Sequence, residues 1–167
     1  MMTGLIFDLD QTLVDSRALE PLRNQRQWGR VLARINEVQP FIGIPEIIAE
    51  ISASERLVWS VVTSSPSMYA KAILTHLGWD PNALVAYHDT VNKKPHAEPT
   101  LKAVHMMGCD SVSCYAFGDM GRDIVSANGA GVRSVACLWG SAEEPIVLAA
   151  RPVEVLRGVA DLVAYIK

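Results

Sequence analysis

Short apolar runs recur along the chain: Gly4 to Phe7, Leu57 to Val62, Leu84 to Tyr87, Ser113 to Phe117 and Val132 to Leu138. Runs of this length, bounded by turn-forming residues, read as strands buried on both faces. Between them, apolar residues fall at helical spacing over Pro45 to Ser52, Ser67 to Leu77, Glu98 to Met107 and Gly121 to Asn128. Glycine follows Leu77, Met107 and Asn128, where a left-handed cap can end a helix without a Cβ clash. Strand and helix alternate, which predicts an α/β fold with a mostly parallel sheet flanked by helices, in a single domain over residues 1–167. Ligands of such sheets bind beyond the carboxyl ends of the strands, so the residues just after each run are the candidates for chemistry. The tracts Lys93 to Pro99 and Glu143 to Pro145 read as loops.

One segment, Ser16 to Pro40, breaks the alternation. It carries Trp28, Val31, Leu32, Ile35 and Val38 at helical spacing and reads as an inserted amphipathic element. Arg23, Arg26, Arg30 and Arg34 repeat at about 100° per residue, which puts all four on one face of a continuous helix, opposite the apolar stripe. A solvated face is the plain reading of this basic ridge; a second anion site, suited to a bulky or polyanionic substrate, is the sharper one. Gly29 weakens the case for a continuous helix.

Composition narrows the partners. The formal net charge of -3 gives no overall field that would gather nucleic acid or an anionic membrane. No apolar run approaches the roughly 20 residues of a membrane-spanning helix, and the N-terminus lacks the layout of a secretory signal. Cys109, Cys114 and Cys137 are odd in number and have no redox or zinc spacing, which fits a reducing, cytoplasmic compartment. His76, His88, His96 and His105 form no ligand set either.

Four strand ends carry candidate groups. Asp8 and Asp10 flank Leu9, so an extended chain aims both carboxylates the same way, and such a pair calls for a cation such as Mg2+ or a proton to offset its repulsion. Thr63, Ser64 and Ser65 place hydroxyls and N–H groups between a strand and a helix, where they can hold phosphate or simply cap the helix. Lys93 and Lys94 precede Pro95, and local sequence leaves open which of them turns inward. Asp119 ends the fourth run; Asp123, one helical turn on, can face the same crevice or merely favour the positive end of its helix.

Taken in order, Asp8-Leu9-Asp10-Gln11-Thr12, Thr63, Lys94 before Pro95, and Gly118-Asp119 through Asp123 resemble the four motifs of haloacid dehalogenase superfamily phosphatases. The resemblance spans nearly the whole chain and implies a Rossmann-like fold, Mg2+ as cofactor and a phosphorylated substrate. It further implies that Asp8 attacks phosphorus to form an aspartyl phosphate and that Asp10 serves as general acid and then base. Thr63, Ser64 and Lys94 would hold the phosphate, while Asp8, the Asp10 carbonyl, Asp119 and Asp123 would hold the metal. The second motif aspartate favours phosphate over halide chemistry; mutase-like phosphoryl transfer and a non-catalytic binding or regulatory protein are the alternatives. The superfamily's helical caps are commonly a separate small domain, so the short segment Ser16 to Pro40 is a departure that leaves the crevice poorly covered.

Overall fold

A computed structural model describes residues 2–167. Six parallel strands form the central sheet: β1 (Thr3–Phe7), β4 (Leu57–Val62), β5 (Ala83–Val85), β6 (Cys114–Gly118), β7 (Arg133–Cys137) and β8 (Glu154–Leu156), in the order β5-β4-β1-β6-β7-β8. The α/β, mostly parallel fold expected from the sequence is what forms. Alternate residues of β1 enter opposite layers, as strand geometry requires. Leu5 and Phe7 join the cluster containing Ile47, Ile51, Tyr69 and Ile73, whereas Ile6 packs with Ala103, Val104 and Ala127 on the other face. The first layer is built by α3 (Ile44–Ala53) and α4 (Ser67–Leu77), the second by α5 (Glu98–Met107) and α6 (Gly121–Gly129).

Because Phe7 is level with both Val61 and Phe117, the residues that follow β1, β4 and β6 emerge together at one sheet edge. The order reverses direction around β1, with β4 and β5 to one side and β6 to β8 to the other. Such a switch point opens a crevice.

The inserted segment is anchored by a two-stranded antiparallel ribbon, β2 (Val14–Asp15) with β3 (Gln39–Pro40). It is not the continuous helix expected. A short 3-10 turn at Arg17–Leu19 leads into α1 (Glu20–Asn24), and α2 (Trp28–Ala33) follows after a break in which Arg26 takes φ 55°. The reason lies in the apolar positions. In one straight helix at about 100° per residue, Leu19 and Leu22 would fall on the arginine side, away from Val31. Breaking the helix re-phases it, so that Leu19, Leu22 and Val31 all reach the core. Trp28 then seats the segment on α4, its ring centroid 5.9 Å from that of Tyr69. The break also dissolves the arginine ridge: Arg34 pairs with Glu37, Arg30 donates to Gln27 and Arg26 is exposed, while Arg23 turns inward.

Two further differences sit near the C-terminus. Glu143 to Pro145 is the start of α7 (Glu144–Ala149) rather than a loop, with Pro145 in the first turn where its missing N–H costs nothing. Beyond it, β8 adds an edge strand and Val159–Tyr165 forms a 3-10 turn that packs on the core. No helix among the described residues is long and apolar enough to cross a membrane.

Candidate active site

At the switch point, Asp8, Asp119 and Asp123 bring one carboxylate oxygen each to within 4.8 Å of one another. Each owes its place to backbone geometry. Asp8 follows β1 and its N–H is bound by the Phe117 carbonyl at 2.9 Å. Asp119 follows β6, and its carbonyl accepts from Ser141 Oγ at 2.7 Å, which ties it to the turn after β7. Asp123 lies in the first turn of α6 and caps it by accepting the Met120 N–H at 3.0 Å, so the capping reading holds alongside the crevice-facing one. Gly118 makes this approach possible: a Cβ there would stand 2.3 Å from that of Asp123.

Lys94 settles the choice that local sequence left open. Its Nζ lies 3.0 Å from Asp8 Oδ1 and 2.8 Å from Asp123 Oδ1 and donates to the Val62 carbonyl at 2.6 Å, with 5% of the side chain exposed. Lys93 instead donates to the carbonyls of Tyr87 and Thr90 and knits its own loop together. Burial alone would favour a neutral Lys94, yet Asp123 and Asp8 outweigh it and hold the ammonium above its ordinary range.

One ammonium cannot balance three carboxylates. Burial, then the charge of Asp123 and Asp10, pushes Asp8 up to about 6 in spite of Lys94. Asp119 is raised to about 9 by burial and by repulsion from Asp8 and Asp123, against the opposing hydrogen bond from Thr12 Oγ1 at 3.1 Å. An all-oxygen donor set with excess negative charge is the environment a hard divalent cation requires. The triad could therefore hold a metal.

Asp10 belongs to a different network from that of Asp8. Ser16 Oγ and Tyr69 Oη both donate to its Oδ1 at 2.6 Å, while Ser65 Oγ at 3.0 Å and Arg23 at 2.9 Å reach Oδ2. Thr63 is buried at the end of β4, its Oγ1 accepting the Ser65 N–H at 3.1 Å, and Ser64 is half-buried beside it. Asp8, Asp10, Thr63, Ser64 and Asp119 line one cavity of about 380 Å³, bordered by Arg17, Arg23 and Arg122. Lys94 and Asp123 lie behind Asp8 rather than on the cavity wall, and Thr12 is buried against Asp119. His96 is elsewhere, its Nδ1 accepting the Glu98 N–H.

Sequence reasoning missed the partners of Asp10. The sequence places Tyr69 only within a helix and Ser16 only at the edge of an insertion. Nothing local to either residue signals the contact; only the seating of the insertion on α4 creates it. Arg23 stands out in the sequence only through a charge pattern that a continuous helix would produce.

A family model for haloacid dehalogenase-like hydrolases matches residues 22–137, which is more than half of the chain. The chain belongs to this family. The matched span includes Thr63, Lys94, Asp119 and Asp123, while Asp8 and Asp10 precede it. A phosphoglycolate phosphatase of Xanthomonas campestris is 38% identical over 106 residues, covering 62% of this chain and 48% of that protein. An N-acetylmuramic acid 6-phosphate phosphatase of Pseudomonas aeruginosa is 34% identical over 134 residues, covering 76% of this chain and 57% of that protein. The chain thus spans about half the length of these curated relatives. Among solved structures, a hydrolase from Pseudomonas syringae superposes with a TM-score of 0.79 at 22% identity, covering 98% of this chain and 97% of that one. That likeness is one of fold.

Proposed function

We propose that this family member is a Mg2+-dependent phosphomonoesterase that works through an aspartyl phosphate on Asp8. The observation that carries the reading is the bridge of Lys94 between Asp8 and Asp123 beside Asp119, which fixes a nucleophile next to a cluster short of positive charge. The phosphatase names of the relatives support the substrate class.

Asp8, Asp119 and Asp123, with the Asp10 carbonyl, would hold the cation. When bound, it supplies positive charge against the phosphoryl oxygens as the transition state forms. Lys94 orients Asp8 and offsets its charge, so that the ionised nucleophile is available near neutral pH. Thr63 and Ser64 at the end of β4 offer donors for the non-reacting phosphoryl oxygens. Asp10 gives a proton to the leaving alcohol and then takes one from the attacking water. Thr12, bound to Asp119 through its hydroxyl and to Trp139 Nε1 through its carbonyl, holds the loop after β1 in shape.

The segment between β2 and β3 is a small lid, and the cavity volume suits a phosphate ester whose remainder extends into solvent. Bulky esters therefore fall within its reach.

The test is release of inorganic phosphate from a panel of sugar phosphates, nucleotides, phosphopeptides, end-phosphorylated oligonucleotides and p-nitrophenyl phosphate, with and without Mg2+. Release that depends on Mg2+ and disappears in Asp8→Asn is the expected result. A wild-type protein inactive on every ester would reject the reading, and transfer of the phosphoryl group to a second sugar phosphate without net release would replace it with a mutase.

A further inference from the structure

Arg23 is the member of the basic series that leaves solvent: its side chain is 19% exposed and lies 2.9 Å from Asp10 Oδ2. The same guanidinium donates to Ser16 Oγ at 2.8 Å and to Ser65 Oγ at 3.2 Å, and its central carbon stands 4.9 Å from the centroid of the Tyr69 ring. Ser16, Ser65 and Tyr69 are the three hydroxyls that donate to Asp10. Arg23 therefore touches Asp10 and each of its other side-chain partners. Its Nε is buried without a hydrogen-bond partner, an unfavourable state for a donor. The side chain gives up that bond while keeping its other donors on the Asp10 network.

We propose that Arg23 is a positioning residue for Asp10, through which the seating of the inserted segment sets how a proton reaches the leaving group. The inference rests on the phosphomonoesterase reading above. In the first half-reaction an Asp8 oxygen bonds to phosphorus as the ester P–O bond breaks. The bonding pair goes to the leaving oxygen, which takes the Asp10 proton and departs as the alcohol. In the second, water oxygen bonds to phosphorus, Asp10 takes the water proton, and the P–O bond to Asp8 breaks with its pair returning to Asp8. Arg23 forms no bond in either step and, having no acceptor atom, cannot replace Asp10. Its contribution is orientation, and loss of orientation costs rate rather than affinity.

The experiment compares kcat and KM for the fastest alkyl phosphate of the panel and for p-nitrophenyl phosphate, whose leaving group departs without a proton. Arg23→Met keeps the apolar stem and removes the donors. It is expected to lower kcat/KM for the alkyl ester by about 10²-fold with a much smaller loss on the aryl ester, because kcat/KM ends at departure of the leaving group and excludes the water step that both esters share. Arg23→Lys, which restores a cation within reach, should recover part of the alkyl rate. Thermal unfolding of Arg23→Met, Asp10→Asn and the double variant should give melting-temperature shifts that do not add, as contacting groups do. Equal losses of kcat/KM on the two esters would mean that the variant merely displaces the lid, and would overturn the assignment; additive thermal shifts would overturn it too. An inactive wild type would reject the hydrolase reading together with this one, whereas equal losses in an active enzyme reject this one alone.

Discussion

Replacing Lys94 by Met tests whether the site's electrostatics hold the fold as well as the chemistry. The substitution keeps most of the stem and deletes an ammonium that is 5% exposed, leaving the Asp8 and Asp123 carboxylates and the Val62 carbonyl without their shared donor. Removing one partner of a buried ion pair costs about 3–5 kcal/mol, most of it the uncompensated charge left behind. For a chain of 167 residues, that corresponds to a melting temperature lower by about 6–20 °C. The loss should depend on pH with a definite sign. Lys94 opposes the upward push on Asp8, which nevertheless titrates at about 6, so without Lys94 it must titrate higher. The variant's deficit is then largest where Asp8 is ionised in both proteins and shrinks on the acid side, where protonation removes the stranded charge. Thermal unfolding at pH 8 and pH 5, with and without Mg2+, reads all of this. Mg2+ should return part of the stability at pH 8 by offsetting the same carboxylates, while phosphate release stays lost. A melting temperature within about 2 °C of wild type at pH 8 would refute the view that Lys94 is the counter-ion of this cluster.

Without divalent cation, stability should fall as pH rises from about 4 to 9. Asp8 and Asp119 titrate at about 6 and about 9 when folded, against 3.8 ordinarily, so over that window the native state binds more protons than the unfolded chain. The gain in melting temperature on adding Mg2+ should grow over the same window, and a gain that shrinks with pH would contradict it. Gly118→Ala would force Asp123 aside, because the new Cβ meets its side chain at 2.3 Å; a cost of about 1–3 kcal/mol and weaker Mg2+ binding by calorimetry are expected. Charge reversal at Arg26 and Arg30 together should leave phosphate release from every ester unchanged, since one is exposed and the other is engaged with Gln27. A loss confined to polyanionic substrates would restore the ridge as a substrate contact.

The motif residues were readable because each depends on its own strand end. A parallel strand delivers its last residue to the same edge as its neighbours, so Asp8, Thr63 and Asp119 converge once the order of strands is granted. Lys94 is a different case. Its loop follows β5, which is separated from β1 by β4, and only the path beneath Val62 brings Nζ to Asp8. Local sequence left it equal to Lys93, and the resemblance to the family, not periodicity, singled it out.

The apolar runs, the helical spacing and the capping glycines Gly78 and Gly108 determined the α/β class and most elements. Burial on both faces of a parallel sheet makes a strand continuously apolar, while burial along one helix face imposes a period of about 3.6 residues. After α6 it is Gly131, not Gly129, that takes the left-handed conformation. Spacing along the segment Ser16 to Pro40 could not determine its shape, since two apolar sets out of phase can be buried together only by breaking the helix against a particular core. That break, decided by Leu19, Leu22 and Val31 packing at once, sends Arg23 to Asp10 and leaves Arg26 exposed. The tertiary structure also fixed how the carboxylates titrate, because the cause, burial of three like charges beside one ammonium, does not exist until β1 and β6, far apart in sequence, lie side by side.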